Sequence, residues 1–333
     1  MDVEPRPRIP LNTFAIALSF AGLASVWTVG SKILGLSDGF ALATWVVAAV
    51  VLIALVAAHA IRGWQSGQSF ASQLRHPAQG PLAGLVAIVG MLIGDHFATI
   101  FPVVGHVITL FFMVAAFIFA AWLLNFWLRG HLEFSFVHGG YLLPTVATSF
   151  VAAITTAHMG FIELAVSAFA IGLFFWIIFF VLVAARLATG PALPPALVPT
   201  QTVLMAPPAL GGMAWLAITG EVPSLVFTGF LAVTLIMVVV QLLWLPRYLT
   251  LPYTLGVWSF TFPSAAVSLI AMHWVAIDKP AGGAIIVAVL IALVSLIVLM
   301  NIGRSLSLIV SHRRGLLSAE RDLVDADNVI GAA

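Results

Sequence analysis

Ten stretches of near-continuous apolar sequence, each about as long as a helix needs to cross a ~30 Å hydrocarbon core, constrain this chain more than any other feature. They fall near 12–31, 40–61, 82–101, 105–128, 141–159, 161–185, 199–219, 223–245, 254–275 and 281–303, with short connections between them. Over 333 residues the chain is 62% hydrophobic and 8% charged, against about 25% charged in ordinary soluble domains. A soluble core cannot absorb that much apolar sequence, because polar surface must cover its outside. The fold class expected is an all-α integral membrane protein. Lipid offers backbone groups no partner, so each span must satisfy its own hydrogen bonds as a helix.

Basic residues test the span count independently. With a cytoplasmic N-terminus, Arg6, Arg8, Arg62, Arg75, Arg129, Arg186, Arg247, Arg304, Arg313, Arg314 and Arg321 all fall inside, and only Lys32 and Lys279 fall outside. Cytoplasmic loops attract Lys and Arg, so both termini are expected in the cytoplasm and the protein in the plasma (inner) membrane. An odd span count would scramble this separation. Arg6 and Arg8 precede the first apolar run, but no small-residue cleavage site closes it, so a retained span is expected. The divisions are a tail over 1–10, a transmembrane domain over 11–303 and a second cytoplasmic tail over 304–333. Basic residues at the start of that tail would face anionic lipid.

Helix breakers are distributed unevenly. Span 1 follows Pro10 and carries Gly22; span 3 has Gly84, Gly90 and Gly94; span 5 has Pro144; span 7 has Pro207, Pro208, Gly211 and Gly212; span 9 has Gly256 and Pro263. The even spans, such as "VVAAVVLIALVAA" and "IIVAVLIALVSLIVL", are smooth and bulky. A backbone group freed by Pro or Gly needs a protein or water partner in hydrocarbon. Odd helices are therefore expected inside and even helices outside, as five helical hairpins with the odd helices lining a pore. Candidate pore-lining or kink residues are Phe14, Gly94, Pro144, Ser149, Pro207, Phe260, Thr261 and Pro263. In span 9, "WSFTFP" places Phe260 and Phe262 beside Pro263, which is expected to kink the helix and free the Ser259 carbonyl.

The chemistry along such a path is sparse. Each outer loop or span end carries one acid: Asp38, Asp95, Glu163, Glu221 and Asp278. Of these, Asp95 is the candidate to cap or hydrogen-bond an inner helix end. Deep ionisable groups, which mark proton and cation paths, are missing from the spans. An anion path needs less, since helix N-termini, freed N–H groups and hydroxyls supply positive potential without fixed charge. Thr145, Thr148, Ser149, Thr155, Thr156, Ser259, Thr261, Ser264 and Ser268 lie on odd spans, although membrane hydroxyls often bond their own helix. No cysteine is present, which excludes thiolate metal sites and cysteine catalysis. The nine histidines form no i, i+4 pair on a span, and no nucleophile-elbow, zinc-protease or phosphate-loop motif occurs. An enzyme, a metal and a cofactor are not expected. The net charge of +1 gives no field to recruit nucleic acid; the expected partners are small anions and membrane lipid.

Five segments in order, "PLNTFAIALSFAGLASVW", "LRHPAQGPLAGLVAIVGMLIGD", "GGYLLPTVATSFVAA", "VLMAPPALGGMAWLAITG" and "LPRYLTLPYTLGVWSFTFP", resemble the tellurite-resistance/dicarboxylate transporter family. That family includes TehA-like proteins, malate permeases and plant slow anion channels. The resemblance covers about residues 10–303. It implies pseudo-fivefold symmetry, assembly as a homotrimer and a phenylalanine gate on the ninth helix. Helical spacing alone does not choose between Phe260 and Phe262, which flank a polar stripe of Thr261, Ser264 and Ser268; the resemblance assigns the gate to Phe262. The chain departs from the bacterial pattern on the sixth helix, where Phe179, Phe180 and Val181 stand in place of an acid-proline pair. The function implied is an anion channel for small anions. The alternative is a proton-coupled carrier of dicarboxylates or other organic acids, with Asp95 and His273 as the candidate proton acceptors, or a tellurite-resistance transporter.

Overall fold

The computed structural model describes residues 8–330 except 221 and 223, with side chains through Ser311. Arg6, Glu221 and the side chains of Arg313, Arg314 and Arg321 lie outside the described residues. Among the described residues the chain is all-helical, with no strand. Ten helices are long and apolar enough to cross a membrane: α1 (Leu11–Leu34), α2 (Gly39–Gln65), α3 (Gly80–Ala98), α4 (Pro102–His131), α5 (Gly139–His158), α6 (Ile162–Thr189), α7 (Val198–Thr219), α8 (Leu225–Leu249), α9 (Leu255–Asp278) and α10 (Gly283–Ser311). The α10 helix continues beyond its apolar part to Ile330.

The odd helices close a ring. α1 packs on α3, α3 on α5, α5 on α7, α7 on α9, and α9 returns to α1. Each even helix leans on its hairpin partner and on the next inner helix, so that α2 covers α1 and α3, and α10 covers α9 and α1. Burial follows this order. In the most apolar stretch of each odd helix 56–94% is buried, against 22–28% in the even helices. Bulky Val, Ile, Leu and Phe on the even helices are left facing outward, where lipid is their natural solvent. Small residues let the layers approach, as they do between membrane helices generally. At the α3–α4 contact, a Cβ on Gly94 would stand 2.5 Å from Thr109 Oγ1, and one on Gly105 would stand 2.4 Å from Ala98 Cα.

Each inner helix begins with a 3₁₀ turn. These turns are Leu11–Thr13, Gly80–Ala83, Gly139–Leu142, Val198–Met205 and Leu255–Phe260; in α5 a π turn, Leu143–Ala147, follows. This corrects the expectation of a proline kink in the middle of span 9. Pro263 is the third residue of the α-helical part, Thr261–Asp278. First-turn N–H groups have no intrahelical partner, so a residue without one is accommodated there at little cost. The break lies one step earlier, where the 3₁₀ turn meets the α-helix at Phe260 and Thr261.

Charge and polar contacts divide the two ends. Arg62, Arg129, Arg186 and Arg247 stand in the last turns of even helices, at the same end as Arg8 and Arg75, while Lys32 ends α1 on the opposite side. At the arginine-rich end, buried Arg186 donates from Nε and Nη2 to the Ser135 carbonyl at 3.0 and 2.7 Å, and from Nη1 to Pro191 at 2.6 Å. Fully buried His138 accepts from the Gly140 N–H at Nδ1, 3.0 Å away, and its Nε2 lies 3.1 Å from the Ala78 carbonyl. That geometry fixes the neutral imidazole with its proton on Nε2. At the other end, Asp95 of α3 meets His158 of α5 with Oδ2 to Nδ1 at 2.9 Å, tying two inner helices together.

Candidate functional site

A narrow cavity lies where the five inner helices converge. Its wall takes Ala15 and Leu18 from α1, Leu82 and Leu85 from α3, Leu143 and Ala147 from α5, Val203 and Ala206 from α7, and Phe262 and Pro263 from α9. Asn12, Thr200 and Ser259 supply its polar side chains. The volume open to the centre of a water-sized sphere is about 30 Å³, enough for about one or two waters. None of its lining side chains, among the described residues, is ionisable. A cavity this small and apolar leaves little room for a hydrated ion.

Phe262 is set in this wall by neighbours on three helices. Gly22 of α1 lies against it, such that a Cβ there would stand 3.3 Å from Phe262 Cδ2 and 3.0 Å from the Ala265 Cβ. The Ser259 carbonyl, four residues before Pro263, has Thr202 Oγ1 of α7 at 3.0 Å, and that hydroxyl also lies 2.8 Å from the Pro199 carbonyl. The 3₁₀ turn before Phe262 is anchored to α10. Trp258 Nε1 donates to Ser305 Oγ (3.0 Å), Ser305 Oγ lies 2.7 Å from the Tyr253 hydroxyl, and Tyr253 donates to the Asn301 carbonyl at 2.9 Å. Buried Asn301 in turn donates from Nδ2 to Thr261 Oγ1 at 3.2 Å. The residues flanking Phe262 are thus held from outside the inner layer, while Phe262 itself lines the cavity.

Several of the residues singled out by sequence face the outer layer instead. Phe14 packs near His59 of α2, with ring centroids 5.7 Å apart. Gly94 abuts α4 and Ser149 abuts Gly172 of α6. Phe260 stands edge-on to Tyr248 of α8 at 4.8 Å, and Thr261 takes the Asn301 hydrogen bond from α10. The physical reason is that small and polar residues on inner helices serve the close inner–outer contacts that bulky even helices demand. Pro144 sits at the α3–α5 contact, 3.3 Å from where a Gly84 Cβ would be, and Pro207 opens the α-helical part of α7. The hydroxyls are mostly engaged with their own backbone: Ser264 donates to Phe260, Ser268 to Ser264, Thr156 to Ala152 and Thr148 to Leu143.

Most of the lining positions, including several that the sequence did not single out, share one spacing. Positions 12, 15 and 18, 82 and 85, 140 and 143, 200, 203 and 206, and 259 and 262 recur at i, i+3. Asn12, Leu82, Gly140, Thr200, Val203 and Ser259 lie in the 3₁₀ turns, and Ala15, Leu18, Leu85, Ala206 and Phe262 in the α-helical parts that follow; residues three apart share a face in both kinds of helix.

A ring of five broken helices, jacketed by five smooth ones and enclosing a small apolar cavity, has the architecture of a membrane channel or transporter. The family model described as SLAC1, voltage-dependent anion channel, matches residues 8–306. This chain therefore belongs to the SLAC1 voltage-dependent anion channel family. It is 24% identical over 269 residues to the tellurite resistance protein TehA homolog of Haemophilus influenzae, covering 80% of each chain. It is also 24% identical over 273 residues to the S-type anion channel SLAH2 of Arabidopsis thaliana, covering 78% of this chain and 51% of that one. With the guard cell S-type anion channel SLAC1 of the same plant it shares 27% identity over 130 residues, 23% of that protein's length. The chain thus spans about half or less of these plant channels.

Proposed function

We propose that this protein conducts small anions along the axis of its inner ring, and that Phe262 closes the path. The observation that carries this reading is the position of Phe262 in the wall of an apolar cavity built by all five inner helices. The ring offers an anion no hydrogen bond, and its face carries negative quadrupole. Supporting the anion class are the family and the names of its relatives, tellurite resistance in one case and S-type anion channels in the others. Arginine enrichment at the end where odd helices begin supports a plasma-membrane orientation with that end cytoplasmic. Assembly as a homotrimer with one conduit per protomer is part of the same proposal.

A channel is favoured over a proton-coupled carrier by the cavity lining. A carrier needs a titratable group on the path, and the lining residues offer none among the described residues. Asp95 is held by His158 at the far end of the ring, and His273 has Nδ1 2.8 Å from its own helix's Leu269 carbonyl. Anion current through Phe262→Ala in planar bilayers tests the proposal, with flux in proteoliposomes under an imposed proton gradient as the discriminating control. Uptake that needs the gradient would favour the carrier.

A further inference from the structure

Away from the axis, two cavities adjoin along the outer face of α4. The first, of about 620 Å³, lies between the α1–α2 and α3–α4 hairpins and is walled largely by apolar side chains, among them Phe14, Phe70, Phe112 and Phe119. The second, of about 300 Å³, is basic: Arg75, Arg129 and His131 line it with Trp122, Asn125 and Phe126. They are continuous in the chain, since Leu74 lines one and Arg75 the other, and Phe119 of the first stacks near Trp122 of the second at 6.1 Å. Along α4 the apolar cavity spans residues 112–119, about 10 Å of helix, and the basic one occupies the last two turns, towards the arginine-rich end.

This sequence of apolar slot and cationic rim has the polarity of a phospholipid with its head at the membrane surface. Among the described residues Arg75 and Arg129 form no ion pair, so no carboxylate is in contact with either guanidinium. Arg8, whose guanidinium lies over the Phe70 ring at 5.6 Å, adds a third arginine at the edge of the slot.

We infer that this groove binds an anionic glycerophospholipid of the adjoining leaflet, with its phosphate on Arg75 and Arg129 and one acyl chain in the slot among Phe14, Phe70, Phe112 and Phe119. Basic pockets between transmembrane helices suit such headgroups, and each cation near the surface strengthens binding. The occupant lies behind the wall of the axial cavity. Leu11 and Phe14 of α1 face the slot, while Asn12 and Ala15 of the same turns face the axial cavity. A bound lipid therefore buttresses α1 and α3 in a way that bulk bilayer does not. Nothing in this inference depends on which ion passes along the axis.

The test uses the full chain in nanodiscs of phosphatidylcholine, titrated with phosphatidylglycerol, reading the thermal midpoint and the lipid retained after extraction by native mass spectrometry. Phosphatidylglycerol should be retained and should raise the midpoint, and phosphatidylcholine should do neither. Arg75→Gln with Arg129→Gln should weaken the response about thirtyfold. Ala115→Trp, which fills the slot from the exposed side of α4 and leaves both arginines in place, should abolish retention. Equal retention of the two lipids, or a response to inorganic phosphate alone, would overturn the inference. It also fails if both variants keep phosphatidylglycerol as the wild type does. A change in oligomeric state in Ala115→Trp without loss of lipid would make the groove an interface between copies of the chain and would equally overturn it.

Discussion

Gly22 of α1 and Phe262 of α9 stand so close that a Cβ on the glycine would lie 3.3 Å from the ring atom Cδ2. The contact is made across neighbouring helices of the inner ring, and the same Cβ would lie 3.0 Å from that of Ala265. Room for the benzyl side chain on the axis thus depends on the absence of a side chain at position 22. Gly22→Val should crowd the ring out of its place, at a cost of about 1–3 kcal/mol in stability, and should raise basal anion flux. The checks are the thermal midpoint of the purified protein and flux per protein in liposomes. A stable Gly22→Val variant as silent as wild type would show that this contact does not position Phe262.

The anchor on α10 makes a second prediction. Ser305 accepts the Trp258 indole and pairs with the Tyr253 hydroxyl, both on the chain entering α9. Ser305→Ala removes both interactions and should lower stability by about 1–3 kcal/mol. The 3₁₀ turn that carries Phe262 into the wall should loosen with it, so closure should become leaky. The expected signature is faster hydrogen exchange over Leu255–Phe260 together with increased basal flux. Ser305→Ala with exchange unchanged across that turn would place the anchor elsewhere.

A third prediction concerns pH at the arginine-rich end. Burial pushes the His138 imidazole down from its usual 6.5 to about 4, with the Arg186 charge acting in the same direction and the Ala78 hydrogen bond opposing both. Between those values the unfolded chain binds a proton that the folded chain refuses. Stability should therefore fall as pH drops from about 6.5 to about 4, by ~3 kcal/mol over that window, and the loss from this group should level off below it. His138→Gln keeps a donor and an acceptor but cannot titrate. Its melting temperature should depend less steeply on pH across the window than that of the wild type.

Much of the architecture was legible in the sequence because lipid leaves few alternatives. Ten apolar runs of this length, with no water partners for their backbone, are expected as ten helices, and ten such helices are present. The inside–outside order was visible too, since breakers such as Pro144, Pro207 and Gly212 fall on odd spans and need protein partners. The site was legible only in part. Pro263 drew notice as a kink, but a proline near a helix start does not bend the helix it begins, and the sequence does not mark where 3₁₀ gives way to α. Phe14, Phe260 and Thr261 looked like pore residues because they sit beside breakers. Their direction was decided by partners far along the chain, His59, Tyr248 and Asn301, whose contacts no local pattern records. Asn12, Leu85, Thr200 and Val203 were missed because the face each inner helix turns to the cavity is set by contacts between spans, which no local pattern records.

Closure by Phe262 is tested most directly by current through Phe262→Ala, normalised to protein in the membrane. The proposal predicts that the variant conducts anions well above wild type, that Phe262→Leu conducts less than Phe262→Ala, and that anion preference changes little. Phe260→Ala, which removes the ring packed on Tyr248 at 4.8 Å, should reduce stability without opening the path. If Phe262→Ala folds and assembles as wild type does yet passes no more current, the conduction path is not closed by this ring and the central claim is wrong.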